Sequence, residues 1–333
     1  MTEPRLDLVA SPHLKGPDST PRIMWNVVAS LAPVVAAATA FFGPGALLVI
    51  AAATLGALGT ERLSGGGSSV GDGSAAITGL LLGLTLPAGM ALWMAFLGGA
   101  FGIGFGKLIF GGLGQNPFNP ALVGRAFLQA AFPTAITTWP ATDVAWWSLR
   151  GDTFALPLMR GTVDAMTAAT PLGLAKFEQQ TTDLLPLLIG NTTGSLGETS
   201  ALLILLGGAW LAWRRYLNWR VPASIFAAVA AFAGLLHWID PARYPGVPFM
   251  LFSGGLMLGA IYMATDMVTS PVTNAGAWIF GVGIGLLVVL IRAWGGLPEG
   301  VMYAILLMNA FVPFINRATQ PRVFGTTGRK AVA

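Results

Sequence analysis

The sequence predicts an all-α polytopic membrane protein: about ten transmembrane helices in an inverted 5+5 repeat, with broken third and eighth spans. Three observations carry this. Of the 333 residues 54% are hydrophobic and only 10% charged, with mean hydropathy +0.70, whereas a soluble domain carries about 25% charged residues. Apolar stretches recur ten times along the chain. Motifs of the first half return in the second half in the same order.

The ten spans run approximately 23 to 42, 45 to 62, 74 to 87, 89 to 110, 118 to 133, 198 to 215, 219 to 238, 249 to 264, 275 to 294 and 299 to 316. A helical span needs about 20 apolar residues, and shorter pieces are tolerated where they line a cavity. The third and eighth are short and carry glycine or proline, and such segments at corresponding places in two halves point to a binding site. "FGIGFG" at 101 to 106 returns as "FGVGIG" at 280 to 285, and "FGGLG" at 110 to 114 as "WGGLP" at 294 to 298. "RAFLQAAFP" ending at Pro133 is echoed by "ILLMNAFVP" ending at Pro313, and "GLLLG" at 79 to 83 by "GLMLG" at 255 to 259. Four pairs at offsets of 176 to 184 residues read as a duplication. Five spans per half is an odd number, so the second half enters the membrane upside down.

This divides the chain into an N-terminal segment 1–22, a first five-span repeat 23–133, a polar interval 134–197, a second repeat 198–316 and a tail 317–333. The N-terminal segment is polar and lacks the apolar stretch of a cleavable signal, so it is expected to stay in the cytoplasm. With that end inside, cytoplasmic segments hold twelve of the eighteen lysines and arginines, Lys107 among them, and the other side five, Arg292 among them. The bias places both termini in the cytoplasm and the interval 134–197 outside.

Composition also excludes. There is no cysteine, so disulfides, thiolate metal sites, cysteine-ligated iron–sulfur clusters and cysteine nucleophiles are absent. The two histidines, His13 and His237, lie far apart without a partner at ligand spacing, which argues against bis-histidine haem and against a metal site. The net charge of +4 follows from basic loops beside a membrane and implies lipid rather than nucleic acid as surroundings. No Gly-rich nucleotide fingerprint follows a strand. No catalytic triad or acid–base pair is found, so no catalytic residues are assigned.

Three polar stretches remain. "DAMTAATPL", 164 to 172, crowds Asp164, Thr167 and Thr170 into seven residues of the outer interval. Threonine before a proline that opens "PLGLAKFEQQ" is a helix N-cap pattern, and a helix N-terminus also welcomes an anion. "QNPFNP", 115 to 120, places Asn116 and Asn119 between prolines just before the fifth span. They either cap that helix or line a polar pocket, because amides at membrane depth need partners. "ATDMVTSPVT", 264 to 273, places Asp266 at the end of a short apolar run, with Thr269, Ser270 and Thr273 beside it. An ionisable group there is either functional or a solvated Asx turn.

Together, "GLGQNPFNPALVGRAFL", "DAMTAATPL" and "ATDMVTSPVT" resemble the family of RnfD and NqrB, membrane subunits of the Rnf and sodium-pumping NADH:quinone oxidoreductase complexes, over nearly the whole chain. The resemblance implies that the last threonine of a D-x-x-[ST]-[GS]-A-T pattern carries FMN through a phosphoester. Here that is Thr170, with Asp164, Thr167 and Ala169 matching the pattern, and with Ala168 and Ala165 as departures that keep the side chains small. It further implies non-covalent riboflavin held partly by Asn116 and Asn119, while the residues themselves leave open a flavin or an ion beside Asp266, Thr269, Ser270 and Thr273. The chain would then pass electrons between two flavins, coupled to Na⁺ or H⁺ transport, as a translocase subunit without independent turnover. Its partners would be other Rnf subunits, including iron–sulfur and second FMN-bearing ones. The rival readings are an inverted-repeat transporter or channel without a redox cofactor, and a passive membrane anchor.

Overall fold

A computed structural model describes residues 18–64, 70–140, 146–147, 151–157, 168–190, 192–198 and 200–321. Asp164 and Thr167 lie outside the described residues. Among the described residues the regular structure is entirely helical. The principal helices are α1 (Thr20–Phe42), α2 (Pro44–Leu63), α3 (Ser74–Leu84), α4 (Leu92–Gly106), α5 (Pro120–Ala131), α6 (Ala201–Trp213), α7 (Arg220–Ile239), α8 (Val247–Phe252), α9 (Asn274–Trp294) and α10 (Val301–Thr319). Each coincides with one apolar stretch of the sequence. Six of the spans are long and apolar enough to cross a membrane, and α3 and α6 are shorter apolar helices.

The caps explain where several helices begin. Ser19 caps α1, Asn119 caps α5, Ser200 caps α6 and Thr273 caps α9, each side-chain oxygen accepting from a free N–H of the first turn. Prolines stand in the first turn of α1, α2, α5 and α8, where no intrahelical N–H is lost.

The two halves use the same pairings. Helix α4 packs most extensively on α2 and then α5, as α9 does on α7 and then α10. The start of α1 and the residues after α6 meet, Tyr216 Oη donating to Asp18 Oδ1 at 2.8 Å. Helices α1 and α6 therefore run in opposite directions, as an inverted second half requires. The end of the molecule that carries Thr20 is called the N-face below. Tryptophans at 50% or more exposure mark both ends: Trp25, Trp213 and Trp219 at the N-face, and Trp147, Trp238 and Trp294 opposite, the belt positions of a membrane protein.

The third and eighth spans are interrupted at comparable places. Gly73, with φ +82°, precedes α3, and Gly254, with φ +68°, follows α8 after Ser253. Both backbones need the left-handed region that glycine enters freely. Beyond Gly254 the chain resumes at Leu256–Leu258 and widens into a π turn, Gly259–Met263. The broken spans thus bring backbone ends and polar side chains to membrane depth, where only protein, water or ligand can satisfy them.

Candidate functional site

The breaks build a cleft at the N-face between the halves. It is lined by apolar side chains including Ile23, Val27, Ile77 and Ile261, and by Ser74, Lys107, Asn116, Asn119, Tyr216, Thr265 and Asp266. Two of the three polar stretches singled out in the sequence therefore converge here, although they belong to different halves of the chain.

Asn119 is committed to the protein at both ends. Its Oδ1 accepts from Ala121 N and Leu122 N at 3.0 and 3.3 Å, capping α5, and its Nδ2 donates to Met263 O at 3.1 Å, across to the π turn of the other half. Its backbone N–H reaches Asn309 on α10 at 3.2 Å, with the Asn309 amide oriented to donate to Ile305 O and Thr269 O. Asn119 is thus the stitch between repeats, and the capping reading holds for it. Asn116, 4% exposed, donates only to the nearby Phe118 O at 3.2 Å. Of the two asparagines it is the freer to meet a ligand.

Asp266 forms a local turn, Oδ1 accepting from Val268 N and Oδ2 from Thr269 Oγ1, both at 3.2 Å, while its carbonyl accepts from Ser270 N. Burial pushes its carboxyl above the usual carboxylate range, against the pull of those two hydrogen bonds. Thr269 is buried and faces Asp266 and Asn309. Ser270 follows as part of the same turn. Thr273 caps α9 and contacts Thr319.

The cleft holds charges that the sequence reading placed elsewhere. Lys107, counted as a cytoplasmic loop cation, is 2% exposed; its Nζ lies 2.6 Å from Glu61 Oε1 on α2 and 2.6 Å from Ser74 Oγ at the start of α3. Ser74 in turn donates to Asp72. The only available signal was position: Lys107 directly follows "FGIGFG", at the end of an apolar helix. Away from this cleft, toward the opposite face, Arg292, counted among the outer residues, is likewise buried at 5% exposure in the last turn of α9.

Thr170 lies toward the opposite face. It caps the short helix Pro171–Gly173, its Oγ1 accepting from Gly173 N at 3.1 Å, as the Thr-Pro pattern predicts. The turn continues as Leu174–Glu178, and Lys176 anchors it to the end of α9, donating to Ile291 O at 3.2 Å, Gly295 O at 2.5 Å and Leu297 O at 2.9 Å. Burial lowers the Lys176 ammonium below its ordinary value. Beside it lies a second cavity of about 590 Å³, lined by Lys176, Phe177, Arg243, Tyr244, Arg292 and Trp294 among others.

Inverted helical halves with broken spans and a polar cleft between them define a polytopic integral membrane protein, in an architecture whose repeat interface is a usual place for a ligand. The chain belongs to the NQR2, RnfD, RnfE family, whose model matches residues 8–325. It is 46% identical over 276 residues, covering 78% of this chain and 77% of the relative, to the D subunit of the ion-translocating oxidoreductase complex of Stutzerimonas stutzeri. It is 40% identical to the D subunit of the proton-translocating ferredoxin:NAD(+) oxidoreductase complex of Clostridium ljungdahlii, over 95% of each chain. It is also 40% identical to the D subunit of the Na(+)-translocating ferredoxin:NAD(+) oxidoreductase complex of Acetobacterium woodii, over 100% of this chain and 99% of that one.

Proposed function

We propose that this chain is the corresponding membrane subunit of an ion-translocating ferredoxin:NAD⁺ oxidoreductase complex, with its termini in the cytoplasm of a bacterial inner membrane. In this reading it passes electrons between FMN esterified to Thr170 on the outer side and riboflavin in the N-face cleft, coupled to Na⁺ or H⁺ movement. The observation that carries it is the placement of two sites at opposite faces: the cleft of Asn116 and Asp266 at the N-face, and the Thr170 turn at the other.

The residues fit such groups. Thr170 is partly buried and follows Ala168 and Ala169, so a phosphoester there meets small neighbours. The cleft is lined mostly by apolar side chains and by Asn116, whose amide is a donor and acceptor suited to ring carbonyls and nitrogens. Its enclosed space is about 100 Å³, so a tricyclic ring enters only as the flexible Met24 and Met267 on its wall swing aside. A flavin supplies the electron-transfer chemistry; the chain supplies position and electrostatics. A channel without a cofactor has no use for a threonine held at a surface turn by a lysine anchored to α9. The names of the Clostridium and Acetobacterium relatives differ in the ion at equal identity, so overall similarity is no guide to the ion used here.

The test is Thr170→Ala in the assembled complex. Wild-type chain is expected to fluoresce as a flavoprotein in a denaturing gel, and Thr170→Ala to lose that fluorescence while the chain still inserts and assembles. Fluorescence persisting on the variant chain would refute Thr170 and shift the attachment to Thr167.

A further inference from the structure

The turn Leu196–Glu198 ahead of α6 packs between the broken third and eighth spans. Leu196 N donates to Leu86 O at 3.1 Å, and Gly197 packs against Leu84 and Leu258. This carries Glu198 into hydrogen-bonding contact with Glu299, which precedes α10, and with Ser195. Glu299 Oε1 accepts from Gly255 N at 2.8 Å, beside the break of the eighth span. Two arginines flank the acids. Arg292 Nη2 lies 3.5 Å from Glu299 Oε1, and Arg292 donates to Met250 O and Ser253 O at 2.5 and 2.9 Å. Arg125 on α5 donates to Thr85 O and acts on Glu198 at longer range.

Two further features show that this is a built site. Glycines make room for the acids: a Cβ on Gly194 would overlap Glu198 Oε2, and one on Gly254 would come within 2.9 Å of Glu299 Oε1. Arg292, whose side chain is 2% exposed and aimed at Glu299, leaves its Nε without a hydrogen-bond partner, and so does the fully buried Ser253 Oγ beside it. A buried polar atom without a partner is costly, so two unspent donors stand beside the acid that Arg292 faces.

We infer that Glu198 and Glu299 hold one exchangeable proton between them, and that this pair is a proton-binding site at the junction of the two repeats. Two ionised carboxylates in contact have no hydrogen to share and repel each other, so the contact exists with one carboxyl protonated. The proton is held as the O–H of one acid donated to the other. When it leaves, the second negative charge faces Arg292 and Arg125, and Arg292 Nε and Ser253 Oγ are the donors available to it. Loss of the proton is thereby eased for two acids that are only partly exposed and stand beside a buried arginine. The site uses no residue of the N-face cleft and no atom of the Thr170 turn, so its existence is independent of the flavin reading.

The experiment uses the intact complex in detergent and a hydrophobic carbodiimide, which adds only to protonated carboxyls, with peptide mass spectrometry to locate the adduct. In wild type, adduct is expected on Glu198 or Glu299, one per chain, and it falls as pH is raised. In Glu198→Gln, labelling of Glu299 is expected to fall several-fold, because the new side-chain amide donates an N–H and Glu299 stays ionised against Arg292; Glu299→Gln does the same to Glu198. Absence of adduct on both residues in wild type would overturn the site. Undiminished labelling of the remaining acid in either glutamine variant would overturn the sharing. Glutamine is isosteric with the protonated acid, so both variants keep the packing, and the wild-type measurement decides alone should a variant not assemble.

Discussion

Helices α4 and α9 each end in a buried cation beside a serine at the break of a shortened span, yet the two ends are wired differently. Lys107 meets Ser74 and the fully buried Glu61, which comes from the long helix α2. Arg292 meets the carbonyl of Ser253 and, at 3.5 Å, Glu299 from the loop before α10, behind which stands a second acid, Glu198. At the first end the cation contacts one carboxylate, Glu61, directly and is linked to a second, Asp72, only through Ser74 Oγ. At the second, two acids and spare donors leave room for a charge to come and go. The two helices share a buried cation near the end but not its register, since the glycine motif that pairs 101 to 106 with 280 to 285 sets Lys107 against Leu286; the first cation lines the N-face cleft, and the second stands beside the acid pair proposed to hold a proton.

The comparison breaks most readily at Lys107. Lys107→Met leaves Glu61 buried without its partner, and removing one member of a buried ion pair costs ~3–5 kcal/mol. The complex is expected to melt well below wild type, or to lose this subunit on purification. Lys107→Met with Glu61→Met, two apolar side chains in place of the pair, is expected to regain most of the stability. A single variant as stable as wild type in a thermal dispersion assay would show that Glu61 is not held as a charge, and would remove the contrast between the two ends.

Much of this was legible in the sequence, for reasons that can be named. Ten apolar stretches and the Thr-Pro and Asn-Pro caps report local physics, so they place helices and their starts correctly. Short spans three and eight were legible as well, because length and glycine content are local. The buried charges were not. Lys107 and Arg292 sit at helix ends next to loops, where lysine and arginine ordinarily reach water, and only the neighbouring helices decide otherwise. The glycine motifs mislead in a subtler way. A Cβ on Gly102 of "FGIGFG" would lie 2.7 Å from Pro120 O on α5, whereas one on the equivalent Gly281 of "FGVGIG" would meet Ser224 and Val221 on α7. The motif repeats, but the neighbour it serves does not. Asn116 and Asn119 read alike in "QNPFNP", and their difference in role comes from Met263, 144 residues from Asn119 in sequence.

That difference supplies the next test, at the ligand-cleft end. Asn119→Leu removes a helix cap and an inter-repeat hydrogen bond, together about 2–3 kcal/mol, and is expected to lower the melting temperature without regard to flavin. Asn116→Leu gives up one hydrogen bond to Phe118 O, so its stability loss is about 1 kcal/mol, and its main expected effect is loss of flavin released by acid precipitation. The flavin retained on the polypeptide stays unchanged in both. If Asn116→Leu keeps its extractable flavin per folded chain, the cleft does not hold one through this side chain.

The smallest effect separates the two breaks themselves. Gly73 and Gly254 both have positive φ, and an alanine there is strained by about 1 kcal/mol whatever the space. At Gly73 little else resists, since the nearest atom to a new Cβ is Met24 Cβ at 3.3 Å. At Gly254 the new methyl would also meet Leu172 Cδ1 at 2.5 Å and Glu299 Oε1 at 2.9 Å. Gly73→Ala is therefore expected to shift the melting temperature slightly and to leave carbodiimide labelling of Glu198 and Glu299 as in wild type. Gly254→Ala is expected to cost more and to change that labelling, because it presses on the carboxyl that shares the proton. Equal stability losses with unaltered labelling in both variants would mean that the second break is only a kink. A change confined to Gly254→Ala ties the backbone break of the eighth span to the acid pair beside it.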